Sequence, residues 1–143
     1  MTVLDEFLDD VVPRIVEADT ALHDGDATLR RAMWSHDEPV TLFGAATSTK
    51  GWSRISRVFD HLEERFSDCT AYDCHVVAAG VSGDLAYLVA IERATLSMGG
   101  GPPREIVLRA TTVFRREDGV WKAVHRHGDH GPEQSLTWLV EDG

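Results

Sequence analysis

Glu92 is the residue of this sequence whose setting most suggests chemistry, because it is a carboxylate inside an apolar run. The run extends from Leu85 to Ser97 and reads Leu-Ala-Tyr-Leu-Val-Ala-Ile-Glu-Arg-Ala-Thr-Leu-Ser. A carboxylate in such a segment either finds a cationic partner or has its pKa raised by desolvation. That environment is typical of ligand-binding and acid–base sites, but a structural ion pair or a solvated Glu92 at an exposed strand end fits the pattern as well.

A second group of ionisable residues follows the turn at Asp118-Gly119. The stretch Asp118–Asp129 reads Asp-Gly-Val-Trp-Lys-Ala-Val-His-Arg-His-Gly-Asp. The Asp-Gly pair favours a tight hairpin turn, and the alternation after it predicts a strand. Strict alternation separates two faces, one with Trp121, Ala123, His125, His127 and Asp129 and the other with Val120, Lys122, Val124 and Arg126. Whichever face turns inward carries ionisable groups with it.

The two histidines of this strand allow three interpretations. His125, His127 and Asp129 would span about 13 Å on an extended strand, so they cannot all bind one ion without a bend, and no metal site is predicted. The histidines either pack on the outer side of the sheet or are turned inward by a bulge. In the second case His127 and Asp129 form an acid–base couple that titrates near physiological pH.

Composition restricts the class of protein. The chain has 143 residues, enough for one domain with a single core. Its formal charge of −10 argues against a nucleic-acid partner or an anionic membrane. Cys69 and Cys74 have no metal-type spacing and are expected to be reduced thiols. No leader-like segment and no phosphate-loop, nucleophile-elbow or zinc-protease motif occurs, so we expect a cytoplasmic protein without a cofactor.

Helical periodicity dominates the first half of the chain. Apolar residues recur at intervals of three and four from Leu4 to His23, with Asp19 on the opposite, polar face. Pro13 lies inside this pattern, so the helix is either kinked there or begins again just before it, and a break is favoured. The remaining elements expected here are a short helix Ala27–Trp34 capped by Asp26, a strand Val40–Phe43, a loop or loose hairpin Gly44–Gly51 and a helix Trp52–Phe66.

Strands dominate the second half. We predict them at Thr70–Val81, at Leu85–Ser97 with both faces covered, at Arg104–Arg116 and after Asp118-Gly119. Helices followed by an antiparallel meander indicate an α+β fold. Residues 1–143 are therefore expected to form one domain, whose tail 131–143 docks the apolar cluster Trp138–Val140 on the body.

This order of elements, with three local motifs, resembles the NTF2-like superfamily, which includes ketosteroid isomerase and the SnoaL-like polyketide cyclases. The motifs are Ala21-Leu-His-Asp-Gly-Asp26, Lys50-Gly51-Trp52 and Asp118-Gly119-Val-Trp121. The last motif, with Val124-His125-Arg126-His127, is also similar to the association domain of calcium/calmodulin-dependent protein kinase. The resemblance implies a cone in which N-terminal helices pack on a curved antiparallel sheet, a cavity between the layers, and a homodimer.

The resemblance does not extend to the catalytic residues of the isomerase. The tyrosine, the general-base aspartate and the protonated aspartate of that enzyme correspond to Ala18, Leu42 and Thr112 of this chain. An Asp base and a Tyr/Asp oxyanion hole are what that mechanism requires, so these positions cannot run it. A shared fold alone does not transfer the activity.

By the same resemblance, two groups of residues face the cavity, and they define the candidate site. The helices would contribute Trp34, Ile55 and Phe59, and the strands Leu88, Ala90, Glu92, Leu108, Ala110, Thr112, Val124 and Arg126. Arg126 is the expected partner of Glu92, with Arg93 or Arg109 replacing it if the register slips.

We therefore predict a homodimeric protein that binds a small apolar molecule bearing one or two polar groups. Trp34, Phe59 and Thr112 would line its site, and Glu92 and Arg126 would orient the ligand. One alternative is a proton-transfer enzyme of the isomerase, dehydratase or polyketide-cyclase type, with Glu92 or His127 as the base. The other is an assembly scaffold that acts through an exposed sheet face.

Overall fold

The computed structural model describes residues 1–44 and 46–131, so the predicted docking of the C-terminal tail lies outside the described residues. In chain order the helices and strands are α1 Val3–His23, α2 Thr28–Met33, β1 Thr41–Gly44, β2 Thr47–Lys50, α3 Trp52–Arg65, β3 Phe66–Ser82, β4 Leu85–Met98, β5 Arg104–Glu117 and β6 Val120–Asp129.

Helix α1 is continuous through Pro13, so the predicted break is wrong. Thr2 begins the helix with a capping box, in which its side chain accepts from the Asp5 backbone amide while the Asp5 carboxylate accepts from the Thr2 amide. An internal proline costs a helix about 3 kcal/mol. Burying one large apolar side chain contributes roughly 1.5–3 kcal/mol. The stripe buried on both sides of Pro13 outweighs the cost, and it consists of Phe7, Val11, Ile15, Ala18 and Leu22.

The segment between α2 and α3 forms a hairpin, one of the two forms expected for residues 44–51. Strands β1 and β2 pair antiparallel, with Thr41 opposite Lys50. Ala27 rather than Asp26 is the N-cap of α2, although the Asp26 carboxylate accepts a hydrogen bond from the Thr28 amide at 2.9 Å. Ala27 itself is buried in the core, and its amide donates to Glu63 Oε2 at 2.9 Å, so packing and polar contacts together begin this short helix.

Within the described residues, six strands form one sheet in the order β2-β1-β6-β5-β4-β3. The four long strands make the expected antiparallel meander, but β1 runs parallel to β6, so the sheet is mixed rather than purely antiparallel. The sheet is curved around α1. Helix α1 contacts both β3 and β6, although β4 and β5 lie between these two strands in the sheet. Phe7 packs edge-on against Trp121 of β6, while Asp19 accepts a hydrogen bond from Tyr72 of β3.

Strand β4 is covered on both faces only over part of its length. Its first outward residues, Leu85 and Tyr87, are 54% and 46% exposed, so the expectation of complete cover is wrong there. Further along the same face Ile91 is buried. The unbroken β4–β5 register places Leu88, Ala90 and Glu92 on the inner face, in contact with the core.

A bulge at Val124 changes which residues of β6 face inward. Phe114 pairs with Ala123 and Val113 pairs with His125, which leaves Val124 without an opposite residue. Trp121 and Ala123 consequently face inward before the bulge, and Arg126 does so after it. The strict alternation predicted for this strand is wrong, because the bulge shifts the pattern by one residue.

Candidate functional site

The candidate site is a cavity of about 570 Å³ between the inner face of the sheet and helices α1 to α3. In the part of the chain that the structure describes, the cavity floor carries three polar side chains, His23, Arg30 and Arg126, and the remaining buried wall is apolar. The apolar residues are Leu22, Leu42, Val58, Phe59, Leu62, Phe66, Met98, Ile106 and Leu108.

Glu92 and Arg126 form a bidentate ion pair at the floor. Arg126 donates from Nη1 to Glu92 Oε2 at 2.9 Å and from Nη2 to Oε1 at 2.6 Å. Burial alone would lower the pKa of Arg126, but the charge of Glu92 and these hydrogen bonds outweigh burial and raise it. The pairing predicted from the sequence is confirmed. A role of the pair in ligand binding stays a prediction.

A second ion pair lies beside the first and was not predicted. Arg30 donates from Nε to Asp19 Oδ1 at 2.8 Å, and its Nη2 contacts the same oxygen. Tyr72 donates its hydroxyl to Asp19 Oδ2 at 2.9 Å. Although burial raises the pKa of Asp19, the charges of Arg30 and Arg126 outweigh it and lower that pKa overall.

The helical pattern predicts Asp19 on the polar, solvent-facing side of the first helix, and that prediction is wrong. The side chain is buried, with a relative exposure of 2%, because the curved sheet brings Tyr72 over this turn of α1 while α2 brings Arg30. The apolar stripe of α1 predicts a single buried face. The concave sheet covers more of the helix surface than that stripe, and so it also buries Asp19. Buried carboxylates are retained where cations and hydrogen bonds match them, as they do here.

His23, in the last turn of α1, is the third polar group of the floor. Its Nδ1 lies 2.5 Å from the backbone carbonyl of Asp19. A carbonyl only accepts hydrogen bonds, so Nδ1 carries the proton and Nε2 holds the lone pair. Burial lowers the pKa of His23 more than the neighbouring carbonyl and carboxylate of Asp19 raise it, which keeps the ring neutral. The ring stacks on Phe66 with centroids 5.2 Å apart.

Three nitrogen atoms at the floor remain available to a bound molecule. Within residues 1–44 and 46–131, Arg30 Nη1, Arg126 Nε and His23 Nε2 make no hydrogen bond. The same residues contain no fully enclosed side-chain nitrogen or oxygen without a partner, so each of these three atoms keeps accessible surface. The floor therefore offers two cationic donors and one neutral acceptor.

The sequence of this chain also matches a known family. Among protein-family models, the SnoaL-like domain matches residues 14–128. The chain belongs to the SnoaL-like family. No curated protein matches it significantly.

Solved structures show that this SnoaL-like chain has the NTF2-like fold. An NTF2-like superfamily protein from Salmonella enterica has a TM-score of 0.75 at 17% identity, covering 90% of this chain and 91% of that one. A ketosteroid isomerase-like protein from Erwinia carotovora atroseptica has a TM-score of 0.70 at 19% identity, covering 90% and 99%. The calcium/calmodulin-dependent protein kinase II hub of S. rosetta has a TM-score of 0.67 at 22% identity, covering 92% and 98%.

The remaining predicted site residues lie at different depths of the SnoaL-like cone. Phe59 lines the cavity directly. Trp34 is buried behind Phe59, with ring centroids 6.0 Å apart. Thr112 is also buried, and it lies with Trp34 around a small void next to Arg30 and Arg126. Trp34 and Thr112 thus back the floor of the cavity, whereas Phe59 forms its wall.

His127 lies on the outer face of the sheet and does not reach the cavity. Its side chain is 53% exposed, and its Nε2 is 3.9 Å from Asp129 Oδ2. Phe43 packs edge-on against both His125 and His127. The bulge in β6 thus has the opposite effect to the one considered from the sequence, because it directs Arg126 inward and the histidines outward.

In the described part of the chain, no three His, Cys, Asp or Glu side chains converge as metal ligands. Over the same residues, no helix combines the length and apolarity needed to cross a bilayer.

Proposed function

We propose that this SnoaL-like protein binds a small, largely apolar molecule in the cavity, with a polar group of the ligand at Arg126 and Arg30. The observation that carries this proposal is that Arg30 and Arg126 line the cavity, while Arg30 Nη1 and Arg126 Nε donate no hydrogen bond within the described residues. Its volume of about 570 Å³ suits a drug-sized molecule. An apolar body and an acceptor group, such as a carbonyl or carboxylate, match this lining.

The ion pairs give the two guanidinium groups a fixed orientation before a ligand arrives. Glu92 holds Arg126 through two hydrogen bonds, and Asp19 holds Arg30 while Arg30 lies over the ring of Phe59. Groups fixed in advance lose less side-chain entropy on binding. Glu92 thus acts through Arg126 as a positioning residue in this proposal.

Thermal unfolding with two matched probes tests the proposal. 2-Naphthoate and 2-naphthamide share an apolar frame, and both present an acceptor to the guanidinium groups. A probe at about ten times its Kd stabilises the folded state by about 1.4 kcal/mol, which raises Tm by a few degrees. Leu108→Trp fills the cavity and should abolish the shift. Val107→Trp, on the opposite face of the same strand, should retain it.

The outcomes of that experiment separate cavity binding from nonspecific binding. Equal shifts in the wild type and Leu108→Trp would place the probes outside the cavity and contradict the proposal. No shift in the wild type with either probe would do the same. A larger shift with naphthoate than with naphthamide is expected, because hydrogen bonds between charged partners are stronger.

Assembly through the outer face of the sheet is a second candidate function. Val77, Leu85 and Tyr87 are exposed there, and Val77 and Val89 line a shallow groove on that face. Exposed apolar surface of this kind favours an interface between two copies. We expect a homodimer in sedimentation equilibrium, which Val89→Arg dissociates. Val120→Arg at a hairpin tip is the matched control, and a monomeric wild type at roughly 100 μM would contradict this candidate.

A further inference from the structure

His23 has features of a catalytic group that the two ion pairs lack. Both oxygens of Glu92 accept hydrogen bonds from Arg126, and both oxygens of Asp19 accept from Arg30 or Tyr72. Every oxygen of the two carboxylates is therefore already engaged by a donor of the protein. His23 is 5% exposed, lines the cavity and keeps its Nε2 lone pair without a partner in the described residues.

The tautomer of His23 is fixed by the backbone. The carbonyl of Asp19, one helical turn earlier, accepts from Nδ1 at 2.5 Å and so holds the lone pair on Nε2. Parallel stacking on Phe66 and a tilted contact with Tyr72 restrain the plane of the ring. A restrained, neutral imidazole with an accessible nitrogen is the arrangement that general-base catalysis requires.

We propose that His23 is the general base of a proton-transfer reaction in the cavity, acting on a carbon acid whose developing oxygen anion is held by Arg126 or Arg30. This inference rests on the proposed function, because the substrate must first occupy the cavity. It assigns the base to a residue other than Glu92 and His127. The substrate class is a small apolar molecule with an acidic C–H bond next to a carbonyl.

The proposed step is balanced in atoms and electrons. His23 Nε2 takes the proton, the carbon–hydrogen bond breaks, and its electron pair forms a carbon–carbon double bond while the carbonyl electrons move to oxygen. A guanidinium N–H stabilises that oxygen anion. The imidazolium then returns the proton to the same or another carbon, so the net reaction is an isomerisation and no co-reactant is consumed.

The charges around His23 suit a transient imidazolium. Asp19 on its own helix and Glu92 on β4 favour the protonated ring, whereas burial and Arg30 on α2 oppose it. Tyr72 on β3 is the other polar group against the ring, and its hydroxyl is committed to Asp19. The resting ring is neutral, and the two carboxylates lower the cost of charging it during the reaction.

Elimination of 5-nitrobenzisoxazole provides a direct test. A base removes the ring C–H proton of this aromatic probe, the N–O bond breaks, and the phenolate product is followed by its absorbance. We expect saturable turnover by the wild type and a loss in kcat/KM of about 100-fold in His23→Phe. His23→Gln, which keeps a polar side chain but cannot act as a base here, should lose a similar factor. His75→Phe, on the exposed part of β3, should match the wild type.

The pH profile gives a second measurement. Since burial lowers the pKa of His23, wild-type kcat/KM should rise through a midpoint below the ordinary histidine value of 6.5 and then stay level. His23→Gln should lack this midpoint. Circular dichroism and a retained shift with 2-naphthoate establish that the variants fold and bind.

Each other outcome is decisive. A wild type that binds the probe without turnover overturns the catalytic role of His23 and leaves the binding function standing. So does a loss of turnover in His61→Phe, at the exposed rim, with none in His23→Phe. If neither the probe nor 2-naphthoate shifts the melting of the wild type, the binding function and this inference fail together.

Discussion

Glu92 of β4 and Arg126 of β6 are paired across the strand that lies between them. Glu92 is opposite Leu108 and Arg126 is opposite Thr112, so the side chains meet above Ala110 of β5. Ala110 is buried, and its methyl group leaves room for two hydrogen bonds of 2.9 and 2.6 Å above it. The position of a charged group in the cavity therefore depends on one small residue.

Ala110→Leu should separate the pair. The isobutyl side chain of leucine occupies the space over β5, so the protein should lose about 1–3 kcal/mol of unfolding free energy and bind 2-naphthoate more weakly. Urea unfolding and the thermal shift measure the two effects. Val107→Leu, on the outer face of the same strand, is the control, and comparable losses in both variants would refute the special role of position 110.

Glu92→Gln should be strongly destabilising because it leaves Arg126 buried without a counter-charge. Breaking a buried pair by removing one partner costs about 3–5 kcal/mol, measurable by urea unfolding. The double variant Glu92→Gln/Arg126→Gln should lose less than the sum of the single losses. Asp129→Asn breaks the exposed pair with Arg109 and should cost at most about 1 kcal/mol. A Glu92→Gln loss as small as that would contradict the prediction.

The site residues that could be predicted from the sequence, Glu92 and Arg126, are those whose positions follow from the pattern of the strands. Glu92 is visible as a charge in an apolar run, and Arg126 follows from the register that the resemblance implies. Asp19 and His23 share their helix with ordinary polar residues, and they are buried by elements distant in sequence, the curved sheet and α2. Burial by a distant element leaves no periodic signal, so the roles of Asp19 and His23 could not be predicted from the sequence. The matched motif around His23 was the available clue.

The helices and strands could be predicted from the sequence, but some details of their pairing could not. Element types followed from periodicity, which is local, but the bulge at Val124 did not. The strand alternates regularly through that point, and the extra residue is defined only by its pairing with β5. This is why the histidines could not be assigned to a face. The parallel pairing of β1 with β6 is likewise a contact between strands far apart in the sequence, and no local motif predicts it.

Stability should fall as the pH is lowered through the range in which His23 titrates. Burial lowers the pKa of His23 in the folded state below the ordinary value of 6.5, so below that value the unfolded chain binds more protons. The stabilisation is thus present above about pH 6.5 and is lost as pH falls through the folded pKa. Urea unfolding at about pH 7.5 and pH 5 should show a larger loss in the wild type than in His23→Phe. Equal losses would contradict it.

A second loss should follow at lower pH. Burial raises the pKa of Asp19, but the charges of Arg30 and Arg126 lower it by more. The pKa of Asp19 in the folded state therefore lies below its ordinary value of 3.8. The stabilisation that ionised Asp19 contributes to the folded state is present above about pH 3.8, and it is lost as the pH falls through the pKa of the folded state. Asp19→Asn should remove this step at the cost of leaving Arg30 unpaired. The same acid loss in the wild type and this variant would assign the step to another carboxylate.

Pro13→Ala should stabilise the protein. Pro13 is exposed in the middle of α1 and lacks the amide that would donate to the Asp9 carbonyl. Alanine restores that donor and relieves the ring clash, which should stabilise the folded state by up to about 3 kcal/mol. The unfolded chain becomes more flexible, which should reduce this gain by about 0.4–1 kcal/mol. A net gain of about 2 kcal/mol in urea unfolding is expected. Glu17→Ala, exposed on the same helix, should change stability by less than about 0.5 kcal/mol. A loss in Pro13→Ala would mean that the proline instead shapes the path of α1 over the sheet.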